Sequence, residues 1–238
     1  MNNLLFSLIS DDEFSERFYG KDIFHDCFGA IGKELQKIFS EPERLLPTLG
    51  SSIRGDLFVF RQGVACKESI FYNQESNFIH WDRIWSMYKS ENATIYLRGL
   101  QKYMPDVNVC LSKLKKSFPN RIPFANIFIS PPGAIGLNAH FDPTEFFVFQ
   151  INGGKQWNTW HAPPYNEAEE MMPDEMANFC QQVQEKSQPN HIYNLQAGDC
   201  LYLPIYWIHA PHTTSLPSSH ITVGLAHPEL KNRASKVK

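Results

Sequence analysis

The stretch AHFDPTEFFVFQINGGKQW, residues 139–157, decides how this chain reads. An imidazole and a carboxylate, His140 and Asp142, stand one residue apart at its start, and an aromatic, β-branched run follows. Side chains alternate along a strand, so residues i and i+2 share a face and both can point into a barrel. The later stretch AGDCLYLPIYWIHAP, residues 197–211, brings a turn at Ala197-Gly198-Asp199, a strand, a stop at Pro204 and then His209, 69 residues after His140. Two imidazoles and one carboxylate are the set that holds Fe(II) on one face and leaves three positions open for a cosubstrate and O2. HxD alone is a weak signal. Followed by GDxLYxPxxWxH it becomes specific, because ligand type, strand context and order along the chain then agree. His212 competes for the third position; His209 is preferred because it lies nearer the strand.

Around this pair the chain divides into a helical part and a β part. Residues 11–45 are helix-biased, with Asp11 or Asp12 placed to cap the first helix. Residues 56–72 read as short strands around a Gly turn, 78–90 as a helix, 93–99 as a strand and 104–118 as a helix. From Phe124 onward, FANIFIS, AHFDPTEFFVFQI, KQWNTWHAP, HIYNLQ, DCLYLPI and HITVGLAH are aromatic and β-branched runs broken by Gly, Pro and Asn. Regular short strands with turns between them predict an antiparallel barrel or double-sheet roll. One helical insertion, 165–187, interrupts it. The chain thus reads as a single unit over 1–238: a helix-rich part with short strands (1–120), a β catalytic core (121–228) and a tail (229–238).

Composition sets bounds on function. The chain has 238 residues, long enough for a proper core, and its 42% hydrophobic and 20% charged residues are ordinary for a globular protein. Aromatics at 13%, with 18 Phe, point to an aromatic-rich β core. A net charge of −3 advertises no nucleic-acid surface and no anionic-membrane surface. The lysines of LSKLKKSF (111–118) read as a solvated helix face. The five cysteines form no CxxC, which predicts free thiols in a reducing compartment. MNNLLFSLISDDEF has no basic start and turns acidic by residue 11, unlike a secretory signal, and no apolar run approaches a bilayer span. A cytoplasmic enzyme is expected.

With these residues in place, the sequence resembles the JmjC-type, cupin-fold 2-oxoglutarate oxygenases, most closely the ribosomal oxygenases and the hypoxia-inducible-factor asparaginyl hydroxylase. His140-Phe-Asp142, Gln150-Ile-Asn-Gly-Gly-Lys155-Gln-Trp157, Gly198-Asp-Cys-Leu-Tyr-Leu-Pro204 and Tyr206-Trp-Ile-His209 carry the resemblance. ATIYLRGLQKY and FSERFYGKDIF extend it to about residues 10–228. It implies a mainly β fold, a double-stranded β-helix (jelly roll) preceded by an N-terminal helical region. It also implies Fe(II), with 2-oxoglutarate and O2 as cosubstrates, and hydroxylation of an amino-acid side chain with succinate and CO2 as coproducts. Lys155 stands where such hydroxylases place the basic residue that pairs with the distal carboxylate of 2-oxoglutarate, as a dianion in a desolvated pocket requires. Asn126 matches an asparagine used near the cosubstrate, and Thr213 and Thr222 are candidate hydroxyl donors to it. There are departures: Phe128 stands where ribosomal oxygenases carry a tyrosine, and Leu137 replaces a threonine of the asparaginyl hydroxylase, with Asn138 adjacent. Trp157, Trp207, Phe147 and Phe149 are candidate pocket walls.

The ribosomal oxygenases continue into a helical dimerisation region and a winged helix; no counterpart of these is expected here, and the ribosomal substrate is accordingly not carried over. A protein or peptide side chain is the expected substrate. A free amino acid or natural-product intermediate is the alternative, and lysine demethylation shares the machinery. Two readings from other classes stay open: a cupin-fold binding protein without turnover, and a cupin enzyme that needs no 2-oxoglutarate. The N-terminal helices and the 165–187 insertion are candidates for a homodimer face or a substrate lid.

Overall fold

The computed structural model describes residues 3–228; the tail expected over 229–238 lies outside the described residues. The N-terminal part runs α1 (Asp11–Arg17), β1 (Phe24–Cys27), α2 (Ala30–Ile38), α3 (Pro42–Leu45), β2 (Leu57–Arg61), β3 (Val64–Ala65), β4 (Tyr72–Asn73), β5 (Phe78–Ile79), α4 (Trp81–Ser90), β6 (Thr94–Leu97) and α5 (Pro105–Ser117). Then follow β7 (Ile122–Ser130), β8 (Glu145–Trp160), α6 (Tyr165–Glu170), α7 (Pro173–Lys186), β9 (His191–Gln196), β10 (Asp199–Leu203), β11 (Ile208–His212) and β12 (Ser218–Ala226). The expected helix over 11–45 is interrupted by β1, which adds to the roll by pairing with β10. Its cap is Ser10, whose Oγ accepts from the Glu13 N–H; Asp11 instead turns back to accept from the Leu4 and Leu5 N–H groups. The 165–187 insertion is two helices broken before Pro173.

The strands form the expected double-sheet jelly roll, all pairs antiparallel, in the order β1-β10-β8-β12-β7-β6-β2-β3. β8 belongs to both sheets. Its first half lies between β10 and β12, and its second half lies between β9 and β11. The stretch read as two strands with a turn at Gly153-Gly154 is therefore one continuous strand of 16 residues.

The transition is made by a bulge. Successive residues of β12, His220 and Ser219, pair with Gln150 and Asn152, so Ile151 is the extra residue. Its carbonyl is taken by the Gln36 side chain of α2 at 3.1 Å. Two residues on, Gly153 holds φ +64 with its Cα packed so closely on the Pro217 carbonyl that a Cβ would come within 1.8 Å of the oxygen. The bulge switches which parity of β8 faces inward. Before it, Phe147 and Phe149 point to the core beneath the N-terminal helices, where they meet Phe6, Phe14 and Phe28, and Phe146 faces the roll interior. After it, Lys155 and Trp157 face the interior.

The helical part covers the other face of the main sheet. α2 packs on β8 and on α5, and α5 covers β7. At the start of β8 the buried Glu145 carboxylate accepts from Tyr19 Oη (2.5 Å) and from Arg121 Nε (2.7 Å), tying the N-terminal segment to the strand three residues beyond Asp142. Because nothing can yield around Gly153, Gly153→Ala should cost at least about 2 kcal/mol in urea unfolding, where strain and steric conflict add. Gly133→Ala, at φ +70 with open space around it, should cost only about 1 kcal/mol.

Candidate metal centre

His140 is not in a regular strand. It forms an isolated bridge with His209 at the start of β11, with His140 N–H donating to the His209 carbonyl (3.1 Å) and His209 N–H to the His140 carbonyl (2.8 Å). A doubly bonded antiparallel pair places the two side chains on one face, and the imidazole centroids stand 4.2 Å apart. Asp142 is held by its own carbonyl, which accepts from the Tyr206 N–H at 3.0 Å; Tyr206 adopts φ 64 in the turn before β11. One ligand atom from each of His140, Asp142 and His209 lies within 4.8 Å of the others. His212 ends β11 three residues after His209, an odd spacing that puts it on the opposite face, outside this cluster.

Backbone carbonyls set the imidazole tautomers. Nδ1 of His140 faces the Asn138 carbonyl at 2.7 Å and Nδ1 of His209 faces the Trp207 carbonyl at 3.0 Å. Each Nδ1 therefore carries the proton and each Nε2 presents a lone pair. His209 Nε2 lies 3.8 Å from Asp142 Oδ2. Burial, then the neighbouring His140, holds the His209 imidazole well below its ordinary range, against the opposing pull of the Trp207 carbonyl. Burial raises the Asp142 carboxyl, an effect His140 partly offsets. Two neutral nitrogen donors and a carboxylate of unmet charge, converging without a ligand atom between them, fit a divalent cation with nitrogen and oxygen preference.

The cluster opens into a cavity of about 480 Å3, in the range of small-molecule sites. Its floor is a ladder of alternate residues on β7 and β12: Phe128 beside His220, Asn126 beside Thr222, Phe124 beside Gly224 and Ile122 beside Ala226. At the inner end the Phe128 and His220 rings stack at 5.0 Å, and Tyr96 stacks on the other face of Phe128 at 4.3 Å. Lys155 enters here, 3% exposed. Its Nζ donates to Ser130 Oγ (3.1 Å), lies 5.9 Å from the Phe128 ring centre, and pairs with no carboxylate among the described residues. Burial alone lowers this ammonium to about 7. Trp157 Nε1 and His220 Nδ1 are also buried without a hydrogen-bond partner among the described residues.

Of the residues expected to contact a cosubstrate, Lys155, Asn126 and Thr222 line this cavity. Asn126 Oδ1 is already engaged, accepting from the Gly99 N–H at 3.0 Å. Thr213 does not line it. Its hydroxyl donates to the Pro131 carbonyl (2.6 Å) and accepts from the Ala134 N–H (2.7 Å), so it braces the loop that leads to His140. Among the expected walls, Trp157 lines the cavity and Phe147, Phe149 and Trp207 do not; Phe146 takes their place, because the bulge lies between it and Trp157. Tyr96 and His220 went unread. His220 shares a strand face with Thr222 and was accessible from that alternation. Tyr96 could be placed only once β6 was seen to pair with β7 opposite Phe128. Its phenol, pushed up to about 12 by burial and then by Asp142, stays protonated beside the ring that lacks a hydroxyl.

A roll that brings two histidines and an aspartate together is the arrangement of a cupin-fold facial-triad metal centre. The JmjC domain family matches residues 101–233, more than half of the chain, and the chain belongs to it. The bifunctional lysine-specific demethylase and histidyl-hydroxylase NO66 of Dictyostelium discoideum is 28% identical over 89% of this chain and 40% of its own length. Ribosomal oxygenase 1 of Danio rerio is 33% identical over 58% of this chain and 24% of its own length. The chain thus spans less than half the length of these relatives. Among solved structures, YcfD, a ribosomal oxygenase from Escherichia coli in complex with cobalt and 2-oxoglutarate, shares the fold at a TM-score of 0.57 and 16% identity, over 97% of this chain and 55% of that one.

Lys155 makes its environment measurable through stability. Its folded value of about 7 lies below the 10.5 of the unfolded chain, so between these limits the unfolded chain binds more protons and stability rises with pH. Lys155→Met should therefore be more stable than wild type near pH 7, by a margin that shrinks about 1.4 kcal/mol per pH unit as pH rises toward 10. Urea unfolding of both proteins across that range tests it.

Proposed function

We propose that this chain is an Fe(II)- and 2-oxoglutarate-dependent oxygenase that hydroxylates an amino-acid side chain of a protein or peptide, releasing succinate and CO2. The observation that carries the reading is the unpaired Lys155 ammonium in the same cavity as the His140–Asp142–His209 cluster. A buried cation without an anion costs stability, and a dicarboxylate whose near end reaches the metal supplies the missing charge at its far end. Family membership and the cobalt and 2-oxoglutarate bound by YcfD add support.

In this reading His140, Asp142 and His209 hold Fe(II), whose chemistry when bound is O2 activation coupled to oxidative decarboxylation of 2-oxoglutarate. Lys155 grips the distal carboxylate, with the Tyr96 phenol and the ring edges of Phe128 and His220 walling it from water. Phe146 and Trp157 pack on His209 at ring distances of 5.1 and 5.7 Å and keep the cluster dry on that side. Asn126 and Thr222 offer polar contacts further out along the floor. The five unpaired cysteines support a reducing, cytoplasmic setting.

The test is thermal stability under anaerobic Mn(II), with and without 2-oxoglutarate, followed by succinate release under Fe(II) and O2. A ligand at about 100 times its Kd should add about 2.7 kcal/mol, and the 2-oxoglutarate shift should vanish in Lys155→Ala while the metal shift persists. Asp142→Ala should lose both. A metal shift without a 2-oxoglutarate shift would replace this reading with a cupin that does not use the cosubstrate, and no shift at all with a binding protein.

The affinity should also depend on pH. Lys155 titrates near 7 when the cavity is empty and must be charged to pair with the carboxylate. Above pH 7, binding therefore takes up a proton, and the Kd for 2-oxoglutarate should rise by up to about tenfold per pH unit. Calorimetry in two buffers of different ionisation enthalpy reads the proton directly.

A further inference from the structure

The outer end of the cavity is built differently from the inner end. There the floor ends at Phe124 and Ile122, and the wall is the turn that follows β6, with Arg98, Gln101 and Lys102 all lining the opening. Gly99 and Gln101 bond to Asn126 and Ala125, two and three residues along β7 from Phe128, so this turn stands about 7–10 Å at strand rise from the ring beside which Lys155 lies.

The turn is held from three sides. Asn126 Oδ1 takes the Gly99 N–H, and Gln101 Oε1 takes the Ala125 N–H at 3.0 Å. The buried Asp56 carboxylate accepts from Arg98 Nε (2.8 Å), Lys102 Nζ (2.5 Å) and Tyr103 Oη (2.6 Å). Arg98 also donates to the Gly55 carbonyl (3.3 Å) and lies 5.3 Å from the Phe58 ring centre, so its guanidinium is fixed before any ligand arrives. Two cations share one carboxylate, which leaves an excess positive charge. Their side chains are half exposed, 53% and 51%, while Asp56 is only 8% exposed behind them. Among the described residues lining the cavity, Asp142 is the one carboxylate, and the proposed function commits it to the metal.

We infer that the substrate presents a carboxylate to Arg98 and Lys102 while the carbon to be oxidised lies over the metal cluster. This rests on the proposed function and deepens it. A preorganised guanidinium with donors to spare suits a carboxylate, whereas a lysine or arginine side chain entering past this turn meets like charge. Hydroxylation of a residue beside an acidic group fits the cavity; demethylation of a cationic lysine does not. The carboxylate can come from an acidic residue of a peptide or from a free amino acid.

Binding to Mn(II)- and 2-oxoglutarate-loaded protein separates these outcomes. The probes are blocked nonapeptide pools with a randomised centre and acidic, neutral or basic flanks, and, in parallel, the twenty free amino acids. The acidic pool or the dicarboxylic amino acids should bind at least about tenfold tighter than the basic or neutral ones, with affinity falling as salt is added; which of the two arms responds identifies the source. Lys102→Gln, which leaves Asp56 paired with Arg98 and Tyr103, should weaken the acidic probe about fivefold. Asp56→Asn, which frees both cations, should strengthen it by a similar factor. Equal or tighter binding of the basic pool, or an acidic preference unmoved in Lys102→Gln, overturns the inference. The 2-oxoglutarate thermal shift is read on the same samples. If it is present without the acidic preference, this inference alone fails; if it is absent, the proposed function fails and this falls with it.

Discussion

One extra residue in β8 governs what the interior of the roll contains. Ile151 has no partner in β12, its carbonyl is satisfied from α2, and Gly153 then turns the strand into the second sheet. A strand that stayed in phase would send Lys155 to the face that Phe147 and Phe149 occupy, among the aromatic rings of the helical part. The bulge instead brings the ammonium into the cavity that also receives His140, Asp142 and His209. Strand parity allows a single residue to do this, since a shift by one exchanges the two faces of everything that follows.

The cavity is organised by charge that its own walls do not neutralise. At the inner end Lys155 is held by one hydroxyl beside one aromatic ring, with no carboxylate among the described residues to offset its desolvation. In the middle, two neutral imidazoles and a carboxylate converge on a point with no ligand atom of their own between them. At the outer end two cations lean on a single buried carboxylate. The rest of the fold answers to these three places. Backbone carbonyls of Asn138 and Trp207 orient the imidazoles, Tyr206 in a left-handed conformation anchors Asp142, and Glu145 between Tyr19 and Arg121 clamps the start of the strand that connects them.

Much of this was legible from residue order. The antiparallel roll followed from short aromatic strands with regular turns, and α4 and α5 from apolar residues at helical spacing. The family match over 101–233 accords with the motifs that suggested it. Helix propensity misled at Phe24–Cys27, inside the helix-biased 11–45 stretch, and at Phe78–Ile79, read as the start of a helix: both pair as strands, β1 with the edge of β10 and β5 with β4, where backbone hydrogen bonds are offered that a surface helix does not need. Thr213 was a candidate hydroxyl donor to the cosubstrate, but its hydroxyl is consumed by the loop that carries Ala134.

What the amino-acid order determined by itself was the inventory and its local periodicity: two histidines, an aspartate and a lysine in a β-rich segment, with an HxD spacing and a GDxLYxPxxWxH tail. Local chemistry suffices for that, because turns, strands and ligand types are written within a few residues of one another. Only the tertiary structure decided which side chains share a space. The bridge between His140 and His209, the pairing of Tyr96 with Phe128, and the Asp56 anchor under Arg98 and Lys102 all join segments at least 32 residues apart. Such pairings depend on register, and register is set where strands meet; a bulge invisible in the spacing of residues then decides which face each side chain finds.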